Sequence, residues 1–199
     1  MTKMSWKVLA GVVAGLAVLI AVAPLAEGKK RKKVEYTERL SARVLSMGTL
    51  ATGATGTADV AISAWTSDED RERLLEVLVE QGSEALVEAL REEERVGFVR
   101  FAATRAWDLH YAREHKVDGG RVIIFATDRP IGFGEAMYNA RSLEHNLLVG
   151  RINLPDEGEG DGFLAVGVEV VVNAEKGTLE LENFSSEPLR LSHVRSRKK

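Results

Sequence analysis

Two short segments carry acidic and basic side chains in patterns that could support chemistry. Asp128 and Arg129 lie at the end of the predicted strand over residues 121–127, and Pro130 favours an extended conformation at Arg129. A strand that ends in two opposite charges exposes them together, and such loops often carry function. The pair is therefore a candidate acid/base or anion site. The alternative is structural: Asp128 would take part in a charge pair or accept backbone hydrogen bonds in a turn that ends the strand.

The second segment covers residues 107–111, which read as a strand containing Asp108 and His110. Alternate residues of a strand share a face, so this carboxylate and imidazole would lie about 7 Å apart at Cα. They could act as acid and base, or supply two metal ligands. A zinc site needs three or four ligands. The others would have to come from the remaining histidines: His115, His145 and His193. We interpret the pair as a polar face and predict no metal site.

The other motifs do not meet the requirements of the chemistries they suggest. Residues 156–162 are acidic and glycine-rich, but an EF-hand loop counted from Asp156 would put Gly167 where a bidentate glutamate belongs. A hairpin turn is the better interpretation. Gly132 and Gly134 form neither a phosphate loop nor a dinucleotide fingerprint, and no serine lies in a nucleophile elbow. The chain has no cysteine, which excludes disulfides and thiol catalysis. We predict no cofactor.

After residue 95 the chain reads as strands joined by short turns, which is typical of antiparallel neighbours. The predicted strands cover residues 96–101, 107–111, 121–127, 146–154, 163–173, 178–184 and 189–194. Residues 122–125 are apolar on both parities, which predicts a central strand buried on both faces. His193 has the parity of Leu189 and Leu191, which predicts a hydrogen-bonded structural histidine at the edge of the core.

Before residue 95 the pattern predicts two strands and a helical hairpin. The strands cover residues 38–45 and 59–65, and Thr66 with an acid three positions later predicts a helix cap. Gly82 is expected to end this helix and Ser83 to cap the next. The hairpin's apolar stripe would pack on the sheet or bind a partner or lipid. The stripe consists of Leu74, Leu75, Leu78, Leu86, Val87 and Leu90.

The N-terminus carries an apolar run that begins at Val8 and ends at Ala26. It is typical of a signal peptide, cleaved after Gly28, or of a membrane anchor of about 20 residues. A basic block follows, formed by Lys29, Lys30, Arg31, Lys32 and Lys33. By the positive-inside rule this block favours a cytoplasmic C-terminal side, which opposes export. We expect export to the periplasm or beyond, with an inner-membrane anchor as the alternative and membrane contact through the run and the block.

Composition narrows the class of protein. The 199 residues carry a formal net charge of −3, and the basic residues between the two ends of the chain are interspersed with acidic ones. This balance predicts no nucleic-acid binding. The length suits one domain with a sizeable core. We expect a signal peptide or anchor over residues 1–28, a basic linker over residues 29–37 and a single domain over residues 38–199.

The chain resembles a group of small exported bacterial proteins with no assigned activity. The resemblance rests on residues 57–95, with Trp65-Thr66-Ser67-Asp68-Glu69 before the hairpin, and on four later segments. These are residues 107–112, 119–123, 126–131 and 181–191. It implies export and a single domain, and it implies no catalytic residue.

These observations predict an α+β fold: a strongly bent antiparallel sheet or partly closed barrel of about eight strands, with the helical hairpin packed on it. We expect a non-enzymatic exported domain that binds a small ligand or an envelope protein through the concave side of its sheet, or serves the envelope structurally. One alternative is an exported hydrolase-type enzyme with Asp128 or His110 as acid/base. The other is a membrane-tethered protein that docks a partner through its hairpin.

Overall fold

The computed structural model describes residues 35–46, 53, 55–102, 106–128, 147–173, 175–182 and 187–198. The N-terminal apolar run and basic block lie outside them. The described elements are β1 (Glu38–Leu45), β2 (Thr55–Ile62), α1 (Asp68–Gln81), α2 (Ser83–Glu92), β3 (Gly97–Phe101), β4 (Trp107–Leu109), β5 (Tyr111–Val117), β6 (Gly120–Thr127), β7 (Leu148–Pro155), β8 (Gly160–Val166), β9 (Glu169–Asn173), β10 (Thr178–Glu182) and β11 (Leu189–Lys198). Neither described helix is long and apolar enough to cross a membrane.

Nine strands form one antiparallel sheet in the order β4, β3, β2, β1, β11, β8, β7, β6, β5. The end strands β4 and β5 are separated along the chain by His110 alone, whose backbone N–H donates to the Ala126 carbonyl at 3.2 Å. β4 pairs with β3 and β5 pairs with β6, so the sheet curls into a nearly closed barrel. This confirms the predicted α+β fold, with one strand more than expected in the sheet.

Apolar side chains fill the barrel interior. β1 alternates as predicted, with Leu40, Ala42 and Val44 buried. Gly150 leaves the space that the Phe125 ring occupies, because a Cβ at this position would overlap the ring. The largest fully buried interior residues are Ile62, Leu109, Ile123, Phe125, Leu148, Ile152, Leu164 and Leu191. The concave side of the sheet is therefore occupied by the protein's own core.

One end of the interior is closed by charged side chains. The Glu38 carboxylate, 1% exposed, accepts hydrogen bonds from Arg121 at 2.8 and 2.5 Å and from the Ser196 hydroxyl at 2.5 Å. The Glu114 carboxylate lies next to this pair, with Oε2 3.4 Å from Nη1 of Arg121 and Oε1 3.2 Å from Nζ of Lys198. Burial alone would raise the pKa of Glu38, but hydrogen bonds from Arg121 and Ser196 outweigh it and hold this pKa below its usual value. The hydrogen bond to Glu38 raises the pKa of Arg121.

The helical hairpin covers part of the outer face of the barrel. Its buried residues are Leu74, Leu78, Val87 and Leu90, which pack with Ala126, Leu147 and Ala165 of the barrel side and with Val168 and Val170 at β9. β9 and β10 form a separate two-stranded sheet. The apolar stripe therefore packs on the sheet, which is one of its two predicted roles.

Gly82 ends α1 as predicted, but both predicted N-terminal caps are wrong by one residue. Ser67, not Thr66, caps α1, because its hydroxyl oxygen accepts from the Asp70 backbone N–H at 3.0 Å. The Thr66 hydroxyl oxygen instead accepts from the Ala112 N–H in β5. At the second helix Gly82, with φ of 87°, stands at the cap, and the Ser83 hydroxyl oxygen accepts from the Val170 N–H. Both hydroxyl groups thus tie the hairpin segment to strands.

Several predicted strand bounds are also wrong. Residues 163–173 form two strands, which break at Gly167 with φ of 61°. The expected strand over residues 59–65 begins at Thr55 and ends at Ile62. Residues 112–117 form most of β5, a strand that the sequence pattern did not predict. These six residues are mostly polar, so they lack the alternating apolar pattern by which a strand is recognised.

β11 contains a bulge that overturns the prediction for His193. Two residues of β11 lie opposite the single residue between Ser41 and Arg43 of β1. His193 has φ of 51° and is exposed, and Val194 takes the inward position instead. The bulge reverses the parity of the strand, so Val194 faces the side opposite to the predicted one, and the strand continues beyond its predicted end at residue 194 to Lys198.

Candidate functional site

The structure brings together two of the predicted site residues, His110 and Asp128. His110 separates β4 from β5, and Asp128 follows β6, which pairs with β5. The two side chains meet on the surface, with Nε2 of His110 3.8 Å from Oδ1 of Asp128. They are 18% and 22% exposed, so both are partly shielded from water but remain reachable.

The hydrogen bonds of His110 fix which ring nitrogen faces the carboxylate. Nδ1 lies 2.9 Å from the Glu93 backbone carbonyl oxygen. Because a carbonyl oxygen can only accept, Nδ1 carries the hydrogen in this contact. Nε2 therefore faces Asp128 either as a lone pair that could take a proton or as an N–H of the charged ring. This arrangement has the elements of an acid/base pair.

Asp128 is also held by an arginine from the hairpin. Nε of Arg91 donates to Oδ2 of Asp128 at 3.1 Å, and Arg91 pairs with Glu88 at 2.5 Å. The Thr127 hydroxyl donates to Oδ1 of Asp128 at 3.4 Å. Asp128 thus joins α2 to the end of β6. This is the charge pair of the structural interpretation, although its partner comes from α2.

The other predicted site residues do not join this cluster. The chain breaks its strand at His110, so the alternation rule fails, and Asp108 is exposed and paired with Nε of Arg95 at 2.8 Å. Arg129 and His145 lie outside the described residues. Among the residues that the structure describes, no three acidic or histidine side chains are placed to hold a metal ion.

A cleft of about 410 Å³ lies elsewhere, between the start of α1 and β5. Trp65, Thr66, Ser67 and Asp68 form one wall, and Arg113, Glu114 and Lys116 form the other. The sequence analysis named none of these as site residues. Its walls come from segments about 45 residues apart in the chain, as the contact between Thr66 and Ala112 shows, and no local motif signals such a meeting.

The backbone of β5 is partly open towards this cleft. The Thr66 N–H donates to the Ala112 carbonyl at 2.8 Å, so the polar backbone groups of Ala112 point away from β6. Alternate residues of a strand point their backbone groups to the same side. Those of Glu114 and Lys116 therefore point towards the cleft as well.

Arg113 links the two walls of the cleft through its guanidinium group. Its Nη1 donates to the Thr66 carbonyl oxygen at 3.3 Å, and its Nη2 pairs with Asp68. Its Nε is buried and finds no acceptor within the described part of the chain. An unsatisfied buried donor costs about 1–3 kcal/mol, which an additional acceptor would relieve.

No family model, curated protein or solved structure matches this chain.

Proposed function

We propose that the protein is a non-enzymatic exported domain that binds a small ligand or a segment of an envelope protein in the cleft beside Arg113. The cleft itself is the observation that carries this proposal. The barrel interior is filled by the core, which leaves the outer surface for binding. A cleft with charged walls and a strand edge suits recognition without requiring any reacting group.

The lining chemistry favours a ligand that carries both charges or an extended peptide. Lys116 and the unsatisfied Nε of Arg113 offer cationic donors, and Asp68, which pairs with Arg113, offers a carboxylate; the Glu114 carboxylate is already engaged by Arg121 and Lys198. The outward backbone groups of β5 could pair with an extended chain, as in strand addition. A zwitterionic group or a peptide backbone satisfies both walls, whereas a purely apolar ligand satisfies neither.

Two probes of this chemistry test the proposal: a blocked tripeptide and a lysine–glutamate dipeptide. In a titration followed by backbone amide NMR, shifts should concentrate at β5 and at the start of α1. Arg113→Gln should weaken binding at least about tenfold, consistent with a lost charged hydrogen bond of about 1.5–3 kcal/mol. Lys176→Gln, an exposed lysine paired with Glu180 on the β9–β10 turn, is the matched control. Shifts scattered over the surface, or equal effects of both variants, would contradict the proposal.

The second candidate function is an exported hydrolase-type enzyme that uses His110 and Asp128. Their 3.8 Å contact and the hydrogen of Nδ1 on the Glu93 carbonyl favour it. An ester or amide hydrolysis that disappears in both His110→Ala and Asp128→Asn, but not in Asp108→Asn, would establish this function. If the native protein and the three variants all lack hydrolytic activity, the result favours the binding domain.

The third interpretation, a membrane-tethered protein that docks a partner through its hairpin, loses its main support. It requires an exposed apolar stripe, whereas Leu74, Leu78 and Leu90 are each at most 4% exposed. Export remains part of the proposal. Mass measurement and N-terminal sequencing of the protein from fractionated cells test it: a soluble periplasmic species that begins near Lys29 supports cleaved export, and a full-length membrane species supports an anchor.

A further inference from the structure

The first and last strands carry five exposed arginines on one outer face of the barrel. They alternate with inward residues of β1 and β11 and are Arg39, Arg43, Arg190, Arg195 and Arg197. We call this surface the arginine face. The bulge in β11 creates it, because without the change of parity at His193 the last two arginines would face the barrel interior.

The arginine face is poorly neutralised. Arg43, Arg190 and Arg197 form no ion pair with any described residue, and Arg195 pairs with Glu159 at 2.6 Å. The Arg39 guanidinium lies 4.5 Å from the centre of the Tyr36 ring. The neighbouring acid on β2, Asp59, is itself paired with Arg100 at 2.6 Å. The face therefore keeps an excess positive charge in a chain whose net charge is negative.

The register makes this charge costly for the free protein. Arg39 lies directly opposite Arg197 across the β1–β11 pair. Like charges in directly opposed positions destabilise a sheet. A surface that holds such a pair without a countercharge is suited to an external anion that neutralises both.

We propose that the arginine face docks on the anionic headgroups of a lipid bilayer. Two observations favour a membrane over another polyanion. The face extends along two neighbouring strands, and two acids beside it, Asp59 and Glu159, are each paired with an arginine, so the face presents a broad positive surface to a charged plane. In addition, the chain that leads into β1 contains the basic block and, before it, the apolar run from Val8 to Ala26. Both are membrane-seeking sequences, and β1 is the first strand after them.

Each arginine held close to an anionic surface contributes about fivefold to the ratio of docked to undocked protein. Three arginines therefore contribute about 100-fold, and reversing their charges removes this and adds repulsion. The attraction falls with ionic strength over a screening length of about 8–10 Å.

The chain contains no cysteine, so single labels can report the docked face directly. The full chain is reconstituted in phosphatidylcholine bilayers with or without phosphatidylglycerol, carrying a fluorophore at Ser41→Cys on the face or at Glu80→Cys on α1. Lipid-borne quenchers should quench the label at position 41 more than the label at position 80, and only when phosphatidylglycerol is present. Added salt should remove the difference.

Charge variants separate docking from tethering. Arg39→Glu with Arg43→Glu and Arg197→Glu should abolish the preferential quenching, whereas lysine at the same three positions should keep most of it. Thermal unfolding of both variants checks that they fold. Equal quenching at both labels, or quenching independent of phosphatidylglycerol, would overturn the proposal. Displacement by heparin or duplex DNA at matched ionic strength, with tighter binding than to the anionic bilayer, would assign the face to another polyanion and also overturn it.

Discussion

The charged network inside the barrel allows a prediction about pH. The free energy of unfolding should change with pH in opposite directions in the native protein and in the variant Arg121→Met. Arg121→Met removes the two hydrogen bonds, at 2.8 and 2.5 Å, that the Glu38 carboxylate receives from Arg121. Glu38 remains 1% exposed, and the Ser196 hydroxyl is its remaining described hydrogen-bond partner. Removing one member of a buried ion pair costs about 3–5 kcal/mol. We expect a loss of that size in the free energy of unfolding near neutral pH.

The pH dependence follows from the direction of the pKa shift of Glu38. In the native protein its pKa is lowered below the ordinary 4.5, so its stabilising contribution is present above that value and is lost as pH falls through the folded pKa. In Arg121→Met, burial remains and the main opposing group is gone, so the folded pKa should rise above 4.5. A raised carboxyl pKa means that the variant regains stability as pH falls through it.

Equilibrium urea denaturation, followed by tryptophan fluorescence near neutral and at mildly acidic pH, measures both effects. The difference in the free energy of unfolding between the native protein and Arg121→Met should be smaller at the acidic pH. Lys198→Met is the matched control, because Lys198 is 53% exposed and its pair with Glu114 should be worth about 1 kcal/mol or less. Replacing Glu38 and Arg121 together by methionine should restore most of the loss. A loss below about 1 kcal/mol in Arg121→Met, unchanged between the two pH values, would refute the reasoning.

Three further substitutions test the fold, each by chemical or thermal denaturation. Ser67→Ala should cost about 1 kcal/mol through loss of the α1 cap, and no measurable loss would place the cap elsewhere. Gly150→Ala should destabilise by about 1–3 kcal/mol because its Cβ overlaps a core ring, whereas Gly56→Ala, with open space around it, should not show this cost. Leu74→Ala should cost about 2–5 kcal/mol, since it is 4% exposed, whereas Val79→Ala, at 64% exposure, should be nearly neutral. Similar losses for the last pair would contradict the packing of the hairpin.

Local patterns predicted much of this fold because they depend on neighbours in sequence. The alternation of β1 and the stripe of α1 and α2 each report one buried face, and both are confirmed. The prediction of the first cap went wrong because Thr66 and Ser67 both belong to residue types that cap helices. Contact with the Ala112 N–H of β5, which lies 46 residues away, takes Thr66 out of that competition.

The site residues were predictable only in part. His110 and Asp128 were both recognised as candidates, but their meeting depends on the β5–β6 register and on the break at His110. The arginine face was hidden for a similar reason. Its residues come from β1 and β11, and the bulge at His193 turns two of them, Arg195 and Arg197, outward. Residues from opposite ends of a chain leave no periodic signal in either segment.

The pairing of β1 with β11 also sets the order in which this barrel can form. Glu38 and Ser196, which share a hydrogen bond, are 158 residues apart. β1 and β8 each keep one unpaired edge until β11, which follows both in the chain, arrives between them. Contacts of such long sequence separation slow folding, and waiting edges can recruit other chains. We therefore expect closure of the sheet to be a late step in folding, and a chain shortened before Leu189 to expose the edges of β1 and β8.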